Sequence, residues 1–228
     1  MKRKSSKRYN KLLVLSKNKK VEILEEAIKK IKKNCTTKFD ESIDISLNLN
    51  LKQKKEEVNL RTVVNLPNGN GKKIKIAVLC EDSKVDEAKE AGAEIAGSEN
   101  LINDITAGKI NFDKLVATPT MMPKMGKLGK ILGPKGLMPN PKLGTVTSDV
   151  KKAVKSLKEG QIEIKNDKDG NVGASIGKKS FSDSKIIENY KTFIETVLKE
   201  KPKGIKGDFI LSSFLTSTMG ISYKLKLK

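Results

Sequence analysis

The spacing of apolar residues changes twice along this chain, and those changes most restrict the folds that it can adopt. Residues 43–51 alternate strictly between Ile or Leu and a polar residue, which is the period of a β-strand with one buried and one solvated face. Residues 74–79 are instead nearly all apolar, as expected for a strand that is covered on both faces. Alternation returns after Gly160, in residues 161–165 and 171–176. The two ends of the chain therefore share one style of strand, and the middle has another.

Segments between these strands have helical spacing or turn residues. Further strands are expected at 59–66, 93–96, 114–118, 208–215 and 221–227. Apolar positions three and four residues apart predict helices at 21–33, after Ser83, at 98–107, after a cap at Thr147 or Ser148, and after a cap at Ser182. Gly160 and the segment 201–204 are the expected ends of the last two helices. The β-α-β-α order in the middle predicts a parallel sheet with helices on both faces.

An α/β fold of two domains accounts for this order most simply. Residues 1–67 and 159–228 would pair into a discontinuous two-layer α/β sandwich. Residues 68–158 would form an inserted three-layer Rossmann-like domain. The chain would then cross between the domains twice, and a double connection of this kind permits rigid-body opening and closing.

The net charge points to a polyanionic partner. The chain has 47 Lys and Arg against 27 Asp and Glu, a formal charge of +20. Such an excess destabilises a compact fold unless a polyanion neutralises it, so nucleic acid is the first candidate and an anionic membrane surface the second. No apolar run approaches the ~18 residues that a transmembrane helix needs. Residues 1–20, with nine basic residues and no acid, are expected to form a disordered arm that grips phosphate, or a merely solvated tail.

Composition and spacing argue against catalysis. The absence of His removes Ser-His and Cys-His pairs and imidazole chemistry. Cys35 and Cys80 are read as small apolar fillers rather than a disulfide. Asp167 and Asp169 are expected to shape their turn rather than bind a metal. With aromatic residues at 4%, an extended stacking platform is not the main binding device. The sequence predicts no catalytic residue, no metal site and no cofactor.

Two short segments resemble nucleotide-binding motifs but fail on position or spacing. The segment Gly69-Asn70-Gly71 precedes a predicted strand, whereas a dinucleotide fingerprint follows one. The segment GASIGKKS at 173–180 has a spacer one residue too short for a P-loop, and Lys179 stands where Ser or Thr is required.

A loop rich in Gly, Pro and Lys lies at 121–145. It contains five Gly, four Pro and no acidic residue, so a fixed irregular path is expected. The loop, here called the basic loop, suits contact with an anionic partner, and a structural crossover with solvated lysines is the alternative. Its candidate binding residues are Lys127, Lys130, Lys135 and Lys142.

The sequence LGKILGPKGLMPNPKLGT within the basic loop resembles the signature of the bacterial ribosomal protein L-one family, the protein of the mobile stalk on the large subunit. Eleven consecutive residues, LGPKGLMPNPK, match that pattern. The likeness extends to KFDESIDI (38–45), NLRTVVNLPNGNGK (59–72), FDKLVATP (112–119), IKNDKDG (164–170), GKKSF (177–181) and TSTMG (216–220). The family has the split two-domain layout, and the resemblance therefore supports it here.

The resemblance implies a non-enzymatic structural constituent of the large ribosomal subunit. Its partners would be large-subunit rRNA, exit-site tRNA, whose release it assists, and its own operon mRNA, which it represses. No membrane or small-molecule partner is implied. The location would be a cytoplasmic ribosome, with an organellar ribosome as an alternative. A nucleotide-dependent enzyme built on the middle domain, and a non-ribosomal RNA-binding repressor or chaperone of the same fold, are the rival interpretations.

The expected RNA site lies on the sandwich domain. If the chain ends pair, the loops at 38–41 and 216–220 can meet on one side of the sheet. Ile221 departs from the family, which usually has Pro there, so a less rigid turn is expected. The resemblance carries rRNA contacts onto the following positions: Lys38, Phe39, Glu41, Asp167, Lys168, Lys178, Lys179, Ser180, Ser213, Thr216, Thr218, Met219 and Gly220.

Overall fold

A computed structural model describes residues 6–16, 21–51, 60–202, 205 and 207–227. It is a mixed α/β structure, which confirms the predicted fold class. The helices are α1 (Lys7–Ser16), α2 (Leu24–Asn34), α3 (Val85–Glu90), α4 (Glu99–Thr106), α5 (Met122–Met125), α6 (Gly129–Leu132), α7 (Val150–Lys158) and α8 (Asp183–Lys199). The strands are β1 (Val21–Glu22), β2 (Ser42–Leu49), β3 (Arg61–Asn65), β4 (Ile76–Leu79), β5 (Ile95–Gly97), β6 (Lys114–Ala117), β7 (Gln161–Lys165), β8 (Asn171–Lys178), β9 (Ile210–Ser217) and β10 (Tyr223–Leu225).

The chain divides into two compact units. Met1–Gly71 and Ile162–Lys228 form one, here called the terminal unit, and Lys72–Gln161 form the other, the inserted unit. Gly71 has a φ of 73°, a left-handed conformation that Gly adopts without the steric penalty of a side chain.

The terminal unit is built on a five-stranded sheet with the order β1-β10-β9-β2-β8. Strand β2 is central and antiparallel to both β8 and β9. Its alternating apolar residues face a core shared with α2 and α8, in which Ile28 and Phe193 are fully buried. The polar residues of β2 lie on the opposite side, here called the open face. Strands β3 and β7 form a separate two-stranded sheet.

Two predictions near the N-terminus are wrong. Val21 and Glu22 do not begin a helix, because they pair in parallel with Lys224 and Leu225 of β10. This long-range pairing overrides the local helical pattern, and α2 begins only at Leu24. Residues 7–16 are not a disordered arm but the helix α1, which buries Leu12. The remainder of the predicted arm, residues 1–5 and 17–20, lies outside the described residues.

Helix α8 is bounded nearly as expected. The Ser182 side chain accepts a hydrogen bond from the Lys185 N–H at 3.4 Å, which confirms the predicted cap. The helix ends at Lys199, just before the predicted stop at 201–204, of which residues 203 and 204 lie outside the described residues.

The inserted unit has a parallel three-stranded sheet with the order β5-β4-β6. All four residues of β4 are buried, because apolar clusters cover both faces. Ala77 and Leu79 face the cluster that includes residues of α4, α5 and α6. Ile76 and Val78 face the cluster that includes residues of α3 and α7. The three-layer arrangement predicted for the middle of the chain is confirmed.

Helix α7 starts differently from the prediction. Its N-cap position is Asp149, with no side-chain cap bond, rather than Thr147 or Ser148. The Thr147 hydroxyl instead accepts a hydrogen bond from the Asp149 N–H at 3.1 Å and shapes the turn before the helix. Gly160, with a φ of 109°, follows the helix, and its role as a stop is confirmed.

The basic loop is more regular than predicted. Residues 119–132 form consecutive short helical turns, including α5 and α6, instead of an irregular path. The cause is the apolar series Met125, Leu128 and Leu132, which is buried at helical spacing. Only Gly136 and Gly144, with φ of 67° and 68°, use the left-handed conformation. The four candidate lysines of the loop are exposed.

Candidate nucleic-acid interface

The two loops predicted to form the site do meet at one end of the sheet. Thr218, Met219 and Gly220, here called the TMG turn, connect β9 to β10. The Thr218 hydroxyl oxygen accepts a hydrogen bond from the Ser42 N–H at 3.0 Å. The Met219 N–H donates to Oε2 of Glu41 at 3.1 Å. Antiparallel pairing of β2 with β9 brings these segments together, although they lie far apart in sequence.

Glu41 is fully buried behind the TMG turn. Its Oε1 accepts hydrogen bonds from the Thr37 hydroxyl at 2.7 Å and the Thr37 N–H at 3.4 Å. Burial by itself raises the pKa of this carboxyl, but the hydrogen bonds from Thr37 and Met219 outweigh it, so the pKa lies below its usual value. Glu41 therefore holds the loop and the turn in place. This corrects the predicted direct rRNA contact, because the side chain has no exposed surface.

The lowered pKa of Glu41 predicts a dependence of stability on pH. A group whose pKa is depressed on folding stabilises the protein fully above its unfolded pKa, and the contribution is lost as the pH falls through the folded pKa. The advantage in melting temperature of the wild type over Glu41→Gln should therefore shrink on acidification from pH 7 towards pH 3. Glu25→Gln, at an exposed position of α2, should follow the wild type. A constant difference between wild type and Glu41→Gln would contradict the assignment.

Arg8 ties helix α1 to the TMG turn and to the segment that leads into the 38–41 loop. Its Nη2 donates to the Met219 carbonyl at 2.8 Å, and its Nε donates to the Thr36 hydroxyl at 2.9 Å. Nη2 also lies 4.0 Å from Oε1 of Glu41. The sequence prediction missed Arg8 because residues 1–20 were expected to be disordered. The only local signal was the apolar run at 12–15, which indicated that the segment packs against something.

The segment after β8 is fixed to the 38–41 loop. The Lys179 N–H donates to the Glu41 carbonyl at 2.8 Å, and its Nζ donates to the Cys35 carbonyl at 2.8 Å. The Ser180 N–H and hydroxyl donate to the Asp40 carboxylate at 3.1 and 2.8 Å. Lys179 therefore holds the segment after β8 against the 38–41 loop. Lys178 is half-buried and Ser180 is exposed.

Three predicted residues are presented to solvent around this framework. Phe39 is 53% exposed and Met219 is 51% exposed, so neither is a core residue. Lys38 is exposed beside Phe39. A large exposed aromatic ring and an exposed thioether, both held on ordered backbone, are available for contact with a partner.

The turn containing Asp167 and Lys168 lies elsewhere. It connects β7 to β8 at the opposite end of β2, where the Leu49 N–H donates to the Gly170 carbonyl at 2.8 Å. Hydrogen bonds from the Asn171 side chain and backbone, and from the Asp169 N–H, lower the pKa of the Asp167 carboxyl. The expectation that Asp167 shapes its turn is confirmed. Within the described ranges, no group of three or more His, Cys, Asp or Glu residues could hold a metal ion.

The structure does not place Ser213 where the expected rRNA contact needs it. It is fully buried, and its hydroxyl lies 3.1 Å from the Tyr190 hydroxyl. Ser213 pairs with Leu47 in the register of β9 with β2, which places it on the core face. The alternation of β9 carried this signal, because Leu215 and Ser213 are two residues apart and face the same way. Thr216, which pairs with Asp44, lies on the open face.

The open face continues from the TMG turn towards the Asp167 turn. Its residues are small or polar apart from half-buried Phe214, and a shallow groove lined by Ser46, Asn171 and Gly173 lies at the far end. The following residues form this face: Asp44, Ser46, Asn48, Asn171, Gly173, Ser175, Ser212, Phe214 and Thr216.

The remaining sequence motifs have structural roles. Most of the segment resembling a P-loop, Gly173 to Lys178, runs within strand β8, which no phosphate-cradling loop could do. Cys35 and Cys80 are free and buried, as expected for apolar fillers. Among the helices that the structure describes, none has the length and apolar character needed to cross a membrane.

Fold and interface together define a basic α/β protein with an open polar sheet face and a fixed turn at one end of it. The model of the "Ribosomal protein L1p/L10e family" matches residues 31–221. The chain is 58% identical over 223 residues to the "Large ribosomal subunit protein uL1" of Pelagibacter ubique, covering 97% of both chains. Proteins of the same name from Prochlorococcus marinus (50% over 202 residues; 89% of this chain, 86% of the relative) and Rickettsia conorii (47% over 204; 90% and 85%) are also similar.

This chain belongs to the ribosomal protein L1p/L10e family. The resemblance stated from sequence is confirmed, and so is the expectation of a protein that is not an enzyme, since the relatives are named as ribosomal proteins. The rival interpretation of a nucleotide-dependent enzyme gains no support from these relatives.

Proposed function

We propose that this protein, a structural constituent of the large ribosomal subunit, binds large-subunit rRNA through the TMG turn, the 38–41 loop and the open face. The observation that carries the proposal is the bond from the Met219 N–H to buried Glu41. This bond fixes the backbone that carries the exposed Met219 side chain, and the same carboxylate accepts a hydrogen bond from Thr37, two residues before exposed Phe39. A preorganised turn of this kind loses little conformational entropy when it binds.

The chemistry of the surface suits folded RNA. Hydroxyl and amide groups on the open face can pair with 2′-hydroxyls, phosphates and base edges, which are the groups that folded RNA displays. Lys38 and Lys168 are exposed at opposite ends of the face and can neutralise phosphates. A Cβ atom at Gly220 would lie 2.2 Å from Oγ of Ser217, so a side chain there would displace the Ser217 hydroxyl, whereas Gly leaves the backbone open to close approach.

Chemical footprinting tests this proposal directly. The full chain is mixed with complete large-subunit rRNA, and protected nucleotides are compared with those in an unrelated RNA of equal length. We expect protection confined to one compact rRNA region, together with co-sedimentation of the protein with large subunits. Scattered protection equal to that of the unrelated RNA would refute the proposal. Specific RNA binding without co-sedimentation would favour a non-ribosomal repressor or chaperone of the same fold.

Thr218 provides the sharpest test of specificity. Its exposed hydroxyl accepts the Ser42 N–H, so Thr218→Ala should loosen the turn. The change would also leave without a partner an RNA polar group that is buried on binding, and affinity for cognate rRNA should fall by roughly 1–3 kcal/mol. Thr218→Ser keeps the hydroxyl and should bind like the wild type. Lys11→Ala, at an exposed position of α1, should weaken all RNAs equally, because phosphate contacts carry no sequence information.

The ratio of cognate to non-cognate affinity separates these variants in a filter-binding assay. It should fall for Thr218→Ala alone. If Thr218→Ala leaves the ratio unchanged while melting curves show a folded protein, the TMG turn is a structural hairpin and recognition lies elsewhere on the sheet.

Two finer roles belong to the same proposal. The family resemblance supports binding of the protein's own operon mRNA at the same interface, which would repress translation. It also supports assistance in the release of deacylated tRNA from the exit site. The exposed lysines of the basic loop are the candidate contacts of the inserted unit with RNA. A translation assay with an operon reporter, with and without added protein, tests the repression.

A further inference from the structure

A groove beside the TMG turn has no role in the proposal above. It has a volume of about 560 Å³ and lies between helix α1 and residues 219–222. Tyr9, Leu12 and Leu13 line one wall, and Met219 and Ile221 line the other. Serine residues of both segments also line the groove. All of these residues belong to the terminal unit.

The groove is held open by specific contacts. Arg8 bonds to the Met219 carbonyl and to Thr36, so α1 is fixed against the turn that forms the opposite wall. Leu12 is buried beneath the helix. The walls are therefore set by hydrogen bonds and packing before any partner arrives.

Exposed aromatic rings are concentrated here. The chain has three Tyr, six Phe and no Trp, and only Tyr9 and Phe39 among them are exposed, at 54% and 53%. Phe39 lies in the loop that contacts the TMG turn, and Tyr9 lines the groove with Met219. All nine aromatic residues lie within the described ranges, so the two solvent-facing rings of this molecule both belong to the neighbourhood of one turn.

We infer that this groove receives a single unpaired base of the bound RNA, which stacks on the Tyr9 ring. The inference rests on the proposed rRNA binding, because the groove is continuous with the TMG turn through Met219 and Gly220. Helix α1 contains Lys7, Arg8 and Lys11 and no acidic residue, which favours a phosphate backbone alongside it. An aromatic face beside a basic helix is the combination that binds an unstacked nucleotide. Low aromatic content excludes an extended platform, but one stacking position needs only one ring.

The test uses the absence of Trp. Tyr9→Trp places a single fluorophore in the groove, and Val14→Trp places one on the same helix at a residue that is 66% exposed and does not line the groove. The probe is the rRNA region that the wild-type protein protects. Stacking of a base should quench the Tyr9→Trp fluorescence by more than half and leave Val14→Trp nearly unchanged.

Affinity provides the second measurement. Tyr9→Leu removes the ring at an exposed position and should weaken binding roughly 5- to 100-fold at constant salt, the usual effect of losing one base–aromatic stack. Tyr9→Phe should bind within about twofold of the wild type, since the π-face remains.

The outcomes separate the groove from the proposed function. If the wild type binds the rRNA but Tyr9→Leu binds equally well and Tyr9→Trp is not quenched, the groove does not hold a base, and the rRNA-binding proposal stands. The same result would leave the groove to another class of partner, such as an apolar peptide. If the wild type shows no specific binding, the proposed function has failed first.

Discussion

Raising the salt concentration from 50 to 200 mM should weaken the binding of this protein to large-subunit rRNA by roughly 10³-fold. The reason is the charge of +20, much of it on exposed lysines. If about six phosphates are neutralised, an equal number of counterions is released on binding, and affinity falls steeply with salt. Filter binding or fluorescence anisotropy across this range measures the slope of log affinity against log salt.

Substituting single lysines measures how much each one contributes to the slope of log affinity against log salt. Lys168 is exposed at one end of the open face. Lys168→Gln should reduce the slope by about 0.7 to 0.9. Lys29 is also exposed but lies on α2, on the helical side of the sheet, so Lys29→Gln should leave the slope unchanged. A flat salt titration of the wild type would remove nucleic acid as the main partner. Equal effects of the two variants would displace the interface from the open face.

Glu41→Ala should have the largest effect of any single substitution at the interface, about 3 kcal/mol of unfolding free energy. Glu41 is fully buried, and its removal leaves the Met219 and Thr37 N–H groups without their acceptor. Each buried donor left unpaired costs about 1–3 kcal/mol. Arg8 loses its nearest carboxylate as well. Thermal unfolding followed by circular dichroism measures the loss, and binding to rRNA should fall with it.

Two controls interpret the Glu41 result. Glu41→Gln keeps one oxygen as an acceptor at nearly the same volume and should lose less stability than Glu41→Ala. Glu25→Ala, on the exposed side of α2, should melt within about 0.5 kcal/mol of the wild type. If Glu41→Ala unfolds like the wild type and keeps its RNA affinity, the carboxylate is not what fixes the TMG turn.

The regular parts of the fold were predictable because their signals are local. The alternation in β2 identified its buried face, and the continuous apolar run in β4 identified a strand covered on both sides. Ser182 marked the start of α8 through its own side chain. In each case the residues that determine the structure lie within one strand or one turn of helix.

The missed elements depend on distant partners. Arg8 bonds to a residue 211 positions away, and β1 exists because β10 lies beside it. No window of local sequence contains those contacts. The helical turns at 119–132 were missed for another reason, because Gly and Pro concealed the helical spacing of the apolar residues between them.

The candidate site shows the same division. That the loops at 38–41 and 216–220 meet could be predicted, because antiparallel pairing of the flanking strands brings their ends together. Which side chains point outwards could not, except at Ser213, where strand parity already indicated burial. Family resemblance identified Glu41 and Lys179 as important positions, and the structure shows that both hold other residues in place.

The strand order of the terminal unit also constrains when the interface can exist during synthesis. Strand β2 is made early, yet its partner β9 and the TMG turn follow more than 160 residues later. The inserted unit, whose sheet is complete by residue 117, can fold on the nascent chain in the meantime. Glu41 and Arg8 have no turn to hold until β9 and β10 have left the ribosome. A chain interrupted before residue 210 therefore carries helix α1 and Glu41 but lacks the TMG turn to which both bond.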